Sequence, residues 1–340
     1  MRTLSQELIS PAIPERFALE GMAQLDHLLI GEEEAKLAML IGMVAGVGMN
    51  SVLVGEAGGG KTTLAVNSHR IVDGIDIVAS VPPKSDLTPH QLVGGRVEMT
   101  KTVTRNGATY QETSAAKIEP IIPSNAQVIV TNELNRVNPY AVNAILDGLE
   151  SGTLTTSAGT RSLTDLLYGV ATMNPAENKQ AVFPVSNATA SRHAIGAILG
   201  AKSSSPADRA QLVSDVWDDW EPRPDLMRPV IDLAELDAIR HRAERGIATP
   251  RSLKPEIVSS ILRTSDRLQQ KGIYDADGRL AKQVRRVAKA HATLAGQDAV
   301  EREDVHQALK FVVTARIGML GTRAAHHQIS EEVKSIINGG

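Results

Sequence analysis

The chain has 340 residues, of which 42% are hydrophobic and 22% charged, a composition typical of a soluble globular protein with room for two domains. Its formal net charge of -3 argues against the basic surface that a nucleic-acid-binding domain usually carries. The absence of cysteine excludes disulfides and thiolate metal sites. Because the N-terminus also lacks an apolar signal segment, we expect a cytoplasmic protein with no membrane partner.

The first 200 residues alternate short apolar strands with helices. We predict helices over 32–47, 61–69 and 140–150, and strands over 51–54, 75–81, 128–131, 169–173 and 194–199. The uncharged stretch 37–55 contains several glycines, so we predict a buried helix followed by a buried strand rather than a membrane span. This alternation predicts an α/β fold, in which a parallel sheet is covered by helices on both faces.

Beyond residue 202 the sequence carries little strand signal. It shows helical patterns over 206–220, 233–245, 252–271, 279–295 and 302–318. We therefore predict an N-terminal extension (1–27), an α/β core (28–202), a smaller all-α domain (203–320) and a C-terminal tail (321–340). Trp217 and Trp220 are spaced for one helix face and are assigned to packing within the all-α domain, and His326-His327 to a solvated tail.

A glycine-rich loop joins strand 51–54 to helix 61–69. The pattern G-x-x-x-x-G-K-[ST] is matched at every fixed position by Gly55, Glu56, Ala57, Gly58, Gly59, Gly60, Lys61 and Thr62. The glycines let backbone N–H groups approach phosphates, and the helix N-terminus adds partial positive charge. We expect Lys61 to reach the β- and γ-phosphates of ATP, the Thr62 hydroxyl to ligate Mg²⁺, and Thr63 to complete the cradle.

Strand 128–131 ends on a second candidate pair, Asn132-Glu133. Glu133 is placed to polarise the attacking water, whereas Asn132 stands where an aspartate is usual. An asparagine offers no full negative charge, but its amide oxygen can accept a hydrogen bond from a metal-bound water. Two hypotheses therefore stay open: an active ATP hydrolase, or an ATP-binding switch with weak hydrolysis.

Several segments resemble the MoxR family of AAA+ ATPases, in the helix-2-insert clade related to the ATPase subunits of magnesium and cobalt chelatases. Residues 132–136, followed by Pro139 and a helix that ends near Gly152, are similar to the family's Asp-Glu-Ile-Asn-Arg segment. Residues 171–175 resemble its sensor-1 strand. Segments 30–35 and 85–94 resemble two further parts of the family, and the resemblance runs from about residue 28 to 318.

The resemblance implies roles for individual residues. Asn174 would be the sensor-1 polar residue, and Arg192 the arginine finger that acts on the neighbouring subunit's nucleotide. For the sensor-2 arginine of the all-α lid we favour Arg279, with Arg251 as the alternative. Segments 94–117 and 152–163 resemble two hairpins that would line the pore of a ring.

The resemblance also implies a function. It indicates a Mg-dependent ATP hydrolase that forms a homo-oligomeric ring, most often a hexamer, and remodels or activates a partner protein. Such chaperone-like ATPases commonly work with a von Willebrand factor A domain protein in metal-cofactor insertion or complex maturation. The alternatives are the weakly hydrolysing switch and a DNA-acting motor, against which the net charge of -3 counts.

Overall fold

A computed structural model describes residues 12–105, 108–156, 159–174, 182–200, 210, 214, 220–320 and 326–338. The predicted helix 206–220 falls almost entirely outside these residues. The strands are β1 (Asn50–Gly55), β2 (Val72–Asp73), β3 (Val78–Val81), β4 (Gly95–Arg105), β5 (Ala108–Ile118), β6 (Val128–Thr131), β7 (Thr153–Thr156), β8 (Gly159–Ser162), β9 (Tyr168–Met173), β10 (His193–Leu199) and β11 (Ile231–Asp232).

The described helices lie between these strands and after them. They are α1 (Ala12–Leu25), α2 (Glu33–Ala45), α3 (Lys61–Asn67), α4 (Pro89–Val93), α5 (Pro139–Ser151), α6 (Asn187–Ser191), α7 (Leu233–His241), α8 (Lys254–Gln270), α9 (Asp277–Leu294), α10 (Arg302–Leu320) and α11 (His326–Asn338). Turns of tighter or wider helix occupy Ser68–Ile71, Leu134–Arg136 and Arg242–Gly246.

Five parallel strands form the central sheet in the order β10-β1-β9-β6-β3. The predicted α/β class with a parallel sheet is therefore confirmed. The strand predicted over 75–81 is shorter than expected and begins at Val78. The N–H groups of Asp76 and Ile77 donate to Gln127 Oε1 at 2.8 and 3.0 Å, so the backbone before Val78 satisfies its donors outside the ladder.

Side chains of β1 alternate between two apolar cores, one on each face of the sheet. Leu53 joins the core beneath α2, and Val52 and Val54 join the core beneath α5. The uncharged stretch 37–55 is a buried helix followed by a buried strand, as predicted. In the described part of the chain, no helix is both long enough and apolar enough to span a membrane.

Both ends of the described chain belong to the folded structure, which differs from the predicted extension and tail. Helix α1 buries Phe17 and Leu25 completely in the core that includes α2. Helix α11 buries Val333 and Ile336 in a cluster shared with α8 and α10. Apolar residues at helical spacing make both segments amphipathic. The apolar face of each packs against other helices, and the sequence alone does not show which ones.

The all-α part packs directly on the sheet. Helix α10 lies against β10, where a Cβ added to Gly196 would lie only 2.2 Å from the backbone nitrogen of Ala315. The α/β part and the all-α part, on either side of residue 202, therefore share one core. The two predicted inserts form antiparallel hairpins, β4–β5 and β7–β8.

Candidate active site

A cavity of about 690 Å³ lies at the carboxyl ends of β1, β6 and β9. The glycine-rich loop forms its floor with residues 56–63, and Glu133, Thr172 and Asn174 face it from the neighbouring strands. In parallel α/β sheets this edge is the usual position of a ligand site, since the loops there converge on one crevice. The sequence motif and the sheet geometry thus select the same place.

The loop needs glycine at the two positions where its backbone is crowded. A Cβ on Gly55 would lie 2.3 Å from the carbonyl oxygen of Leu199, on the adjacent strand β10. Gly60 has φ 75°, and a Cβ there would lie 2.6 Å from Leu29 Cδ1. A side chain at either position would displace the loop, so these glycines keep its N–H groups open to the cavity.

Lys61 begins α3 and lies at the centre of the loop. Its side chain is mostly buried, and Nζ donates to the carbonyl oxygen of Glu56 at 2.5 Å. Burial lowers the pKa of Lys61, while the charges of Glu133 and then Glu56 oppose that shift. The ammonium is therefore held inside the cavity close to Glu133, where a phosphate oxygen would replace part of its lost hydration.

Glu133 stands at the end of β6 in a strained backbone conformation. Its φ of 43° lies in the left-handed region that non-glycine residues rarely adopt. The Glu133 N–H donates to Thr172 Oγ1 at 3.0 Å, which fixes this conformation from the neighbouring strand β9. One carboxylate oxygen lies 2.8 Å from Arg136 Nε. The structure thus holds Glu133 at the cavity with its charge partly engaged by Arg136.

Asn132, the predicted water-mediated metal ligand, turns towards β3. Its Nδ2 donates to Ser80 Oγ at 2.8 Å, and the residue does not line the cavity. Within the described residues, its buried Oδ1 has no hydrogen-bond partner. An amide oxygen buried without a partner is a suitable acceptor for a water bound to Mg²⁺, and the predicted direct ligand, Thr62, lines the cavity. Both are oxygen donors of the kind that Mg²⁺ prefers, so these residues fit an ion that keeps most of its water ligands.

Asn174, the predicted sensor-1 residue, follows β9 and lines the cavity. Its carbonyl oxygen accepts a hydrogen bond from Asn135 Nδ2 at 2.9 Å, which ties the segments after β6 and β9 together. Its side chain is half-buried at the cavity wall. The structure therefore brings Asn174 to the same cavity as Lys61 and Glu133.

Arg192 lies at the opposite edge of the sheet. Its carbonyl oxygen accepts from Asn50 Nδ2 at 3.1 Å, and Asn50 is the first residue of β1, whereas the glycine-rich loop follows the last. The six residues of β1 separate the two positions by about 17 Å. The guanidinium pairs with Asp147 and Glu150 of α5 at 3.3 and 3.5 Å. Arg192 cannot reach the cavity of its own chain.

Arg279, the favoured sensor-2 arginine, does not line the cavity of its own chain either. Its Nη1 donates to Ser191 Oγ at 2.8 Å, so it lies beside Arg192 at the amino edge of the sheet. The alternative, Arg251, is exposed in the turn before α8 and does not line the cavity either. Packing of α9 against the core places Arg279, and no local sequence pattern reports that packing.

Several cavity residues were missed by the sequence analysis. The apolar wall consists of Leu28, Leu29, Ile30, Trp220 and Pro222, and Glu32 and Gly200 also face the cavity. Trp220, which was assigned to packing within the all-α domain, therefore also lines the cavity. Trp217 lies outside the described residues. The run Leu28-Leu29-Ile30 and the family-like segment 30–35 were available signals, but apolar residues before a helix usually indicate core.

Comparisons with known proteins agree with this geometry. Residues 50–193 match the family model described as an AAA domain of the dynein-related subfamily, and residues 271–337 match an AAA lid domain. A curated relative, "Uncharacterized protein YeaC" of Bacillus subtilis (strain 168), is 22% identical over 92% of this chain and 90% of its own. A crystal structure from Cytophaga hutchinsonii ATCC 33406, described as that of a "putative ATPase", is 19% identical with a TM-score of 0.68 and covers 96% of both chains.

Proposed function

This chain is an AAA+ protein with an AAA domain and an AAA lid, and on that premise we propose that it is a ring-forming Mg-dependent ATPase. One observation carries the proposal. The cavity of each chain gathers Lys61, Glu133 and Asn174, while Arg192 lies about 17 Å away at the other edge of the same sheet. Each subunit thus presents half a site at each edge.

Two such edges complete a site only when one subunit meets another. Pairing the amino edge of one subunit with the carboxyl edge of the next is a heterologous contact, which closes into a ring when the rotation between subunits is favourable. Arg192 would then enter the neighbour's cavity. Arg279, beside it at Ser191, would approach the same nucleotide, so we propose that both arginines act between subunits.

Each residue in the assembled site has a distinct task. The Gly60 and Lys61 loop binds the phosphates, and Glu133 orients the attacking water and accepts its proton. Arg192 of the adjacent subunit neutralises charge that develops in the transition state. Mg²⁺, held by Thr62 and through water by Asn132, would neutralise phosphate charge when bound.

The output of hydrolysis is proposed to be mechanical. The hairpins β4–β5 and β7–β8 stand at the two chain positions where a MoxR-type ATPase carries its inserts, and in a ring they would line the pore. We propose that the ring remodels or activates a partner protein, and that the partner carries a von Willebrand factor A domain. This part of the proposal depends on the family resemblance rather than on the cavity.

A second candidate, an ATP-binding switch with slow hydrolysis, is favoured by two contacts. Asn132 is neutral and its amide nitrogen is bound to Ser80, while one oxygen of Glu133 is engaged by Arg136. Each contact weakens the site's hold on the metal or on the attacking water. The two candidates differ in whether the native chain turns over ATP once it has assembled.

Steady-state hydrolysis measured as a function of protein concentration tests the proposal. We expect a specific rate that rises with assembly, is abolished by Lys61→Ala and is lowered about 100-fold or more by Glu133→Gln while ATP binding persists. The exposed Lys84→Ala variant is the matched control and should behave as the native chain. Hydrolysis absent in the assembled native protein but restored by Asn132→Asp would establish the switch instead.

A further inference from the structure

Two buried side chains of the lid hold the backbone on either side of Arg192. Gln283 of α9 donates through Nε2 to the carbonyl oxygen of Ser191 at 2.9 Å. Arg316 of α10 donates through Nη1 to the carbonyl oxygen of His193 at 3.3 Å. Both side chains are nearly excluded from solvent, so these bonds form in surroundings where an unmade hydrogen bond is costly.

The two side chains also bind each other. Gln283 Oε1 accepts from Arg316 Nη2 at 2.6 Å, and Arg316 Nε donates to Asp275 Oδ2 at 2.9 Å. A further Arg316 bond reaches the carbonyl oxygen of Val312 at 2.9 Å, and Nη2 also contacts Asp275. Together with the bond to His193, these contacts use all five N–H donors of the guanidinium. The orientation of Arg316 is therefore fixed, and through it that of Gln283.

The positive charge of Arg316 in this network is balanced by one buried carboxylate, that of Asp275. Burial lowers the pKa of Arg316, and the adjacent Asp275 opposes the shift. The side chains of Arg316 and Asp275 are 1% and 5% exposed, so the pair is a buried one. Removing either partner of such a pair would leave an uncompensated charge in the interior, so each side chain holds the other in place.

The network leaves the Arg192 side chain outside. That guanidinium is 22% exposed and bonds to carboxylates of α5 rather than to the lid. We infer that Gln283, oriented by Arg316 and Asp275, is a positioning residue that sets the backbone of Arg192 and couples the lid to the arginine offered to the neighbouring subunit. This inference rests on the proposed function, because it assigns a partner site to Arg192.

Gln283→Met tests the inference, because it removes both amide bonds at nearly constant side-chain length. We expect kcat to fall about 10- to 100-fold while ATP affinity and ring assembly stay unchanged, since each chain's own cavity is untouched. The exposed neighbour Lys282→Met is the matched control and should keep full activity. An unchanged kcat in assembled Gln283→Met overturns the inference.

A mixing experiment separates positioning from general damage. Lys61→Ala subunits cannot hydrolyse ATP but carry an intact Arg192, so adding them to Gln283→Met subunits should restore turnover at the mixed interfaces. A parallel mixture of Lys61→Ala with Arg192→Ala serves as reference. Recovery in both mixtures supports the inference, and recovery in the reference alone overturns it while leaving the proposed function intact. Recovery in neither mixture overturns the action of Arg192 between subunits.

A second variant keeps the test decisive where Gln283→Met does not assemble. Gln283→Asn retains the amide but withdraws it by one methylene from Ser191. The hydrogen bond is weakened, and no new chemical group is buried. A reduced kcat that mixing restores supports the inference. Full activity in assembled Gln283→Asn overturns it.

Discussion

Acidification should destabilise the fold through one histidine, His193. The residue begins β10 and is 1% exposed. Its Nδ1 lies 3.0 Å from the carbonyl oxygen of Thr189, and because a carbonyl only accepts, Nδ1 carries the hydrogen. Protonation must therefore occur at Nε2 inside the core. Burial lowers the pKa of His193 to about 4; the bond to Thr189 opposes that shift, and the cation of Arg316 adds to it.

The size and sign of the effect follow from this shift. The folded pKa is below the unfolded value of 6.5, so the unfolded chain binds more protons and stability falls as the pH decreases from 6.5 towards 4. At pH 5 the loss amounts to about 2 kcal/mol, and below the folded pKa it reaches about 3 kcal/mol. At pH 7.5 the contribution is fully present.

Urea unfolding at pH 7.5 and pH 5.0 measures this loss. His193→Asn keeps an amide donor near the position of Nδ1 but does not titrate. The variant should be less stable at both pH values because it leaves a cavity, yet its loss between them should be smaller than the native loss by about 2 kcal/mol. Burial also lowers the pKa of His69, but that contribution is common to both proteins and cancels.

Equal pH dependence in the native chain and in His193→Asn would refute the reasoning. It would mean that water or a carboxylate reaches Nε2 in the folded state, so that the imidazolium is solvated and His193 titrates near its ordinary pKa. A larger loss in the variant would assign the acid sensitivity to other groups.

Two further predictions concern the seam between lid and sheet and the strained glutamate. Gly196→Ala should destabilise the fold by about 3 kcal/mol in urea unfolding, because the new Cβ meets the backbone of Ala315. The control is Gly278→Ala in α9, where the added Cβ would lie in open space. It should be neutral or stabilise the fold by up to about 1 kcal/mol. Thr172→Val should lower kcat with ATP affinity retained, since it removes the acceptor that fixes the Glu133 N–H; equal kcat would contradict this.

The local parts of the site could be predicted from the sequence. The loop 55–62 depends on residues adjacent in the chain, and β6 ends where the apolar run Val128–Thr131 gives way to Asn132 and Glu133. Where a short apolar strand is bounded by polar residues, its ends can be predicted from the local sequence. The packing of the terminal helices could not be predicted in this way, because Phe17 and Val333 are buried by segments outside their own helices.

The distant parts of the site could not be predicted from the sequence. The family resemblance assigned Arg279 to sensor 2, but it could not show that this end of the lid helix docks against Ser191. Trp220 was assigned to packing because indole spacing on a helix does not report which surface it meets. Both positions depend on how segments far apart in the chain pack together, which a local sequence pattern does not report.

Buried contacts join the lid to the segment around Arg192, at the amino ends of the strands, so the two should move together. Gly196 lets α10 touch the backbone of β10, and Gln283 and Arg316 then bond the carbonyls on both sides of Arg192. A lid fixed in this way has little freedom to rotate against its own sheet without breaking buried hydrogen bonds. In the proposed ring, movement driven by the nucleotide is therefore expected at the contact between subunits, where Arg192 would leave Asp147 and Glu150 for the neighbour's phosphate. Both carboxylates are more exposed than Arg192, at 60% and 37%, so water can solvate them once the proposed exchange has removed the arginine.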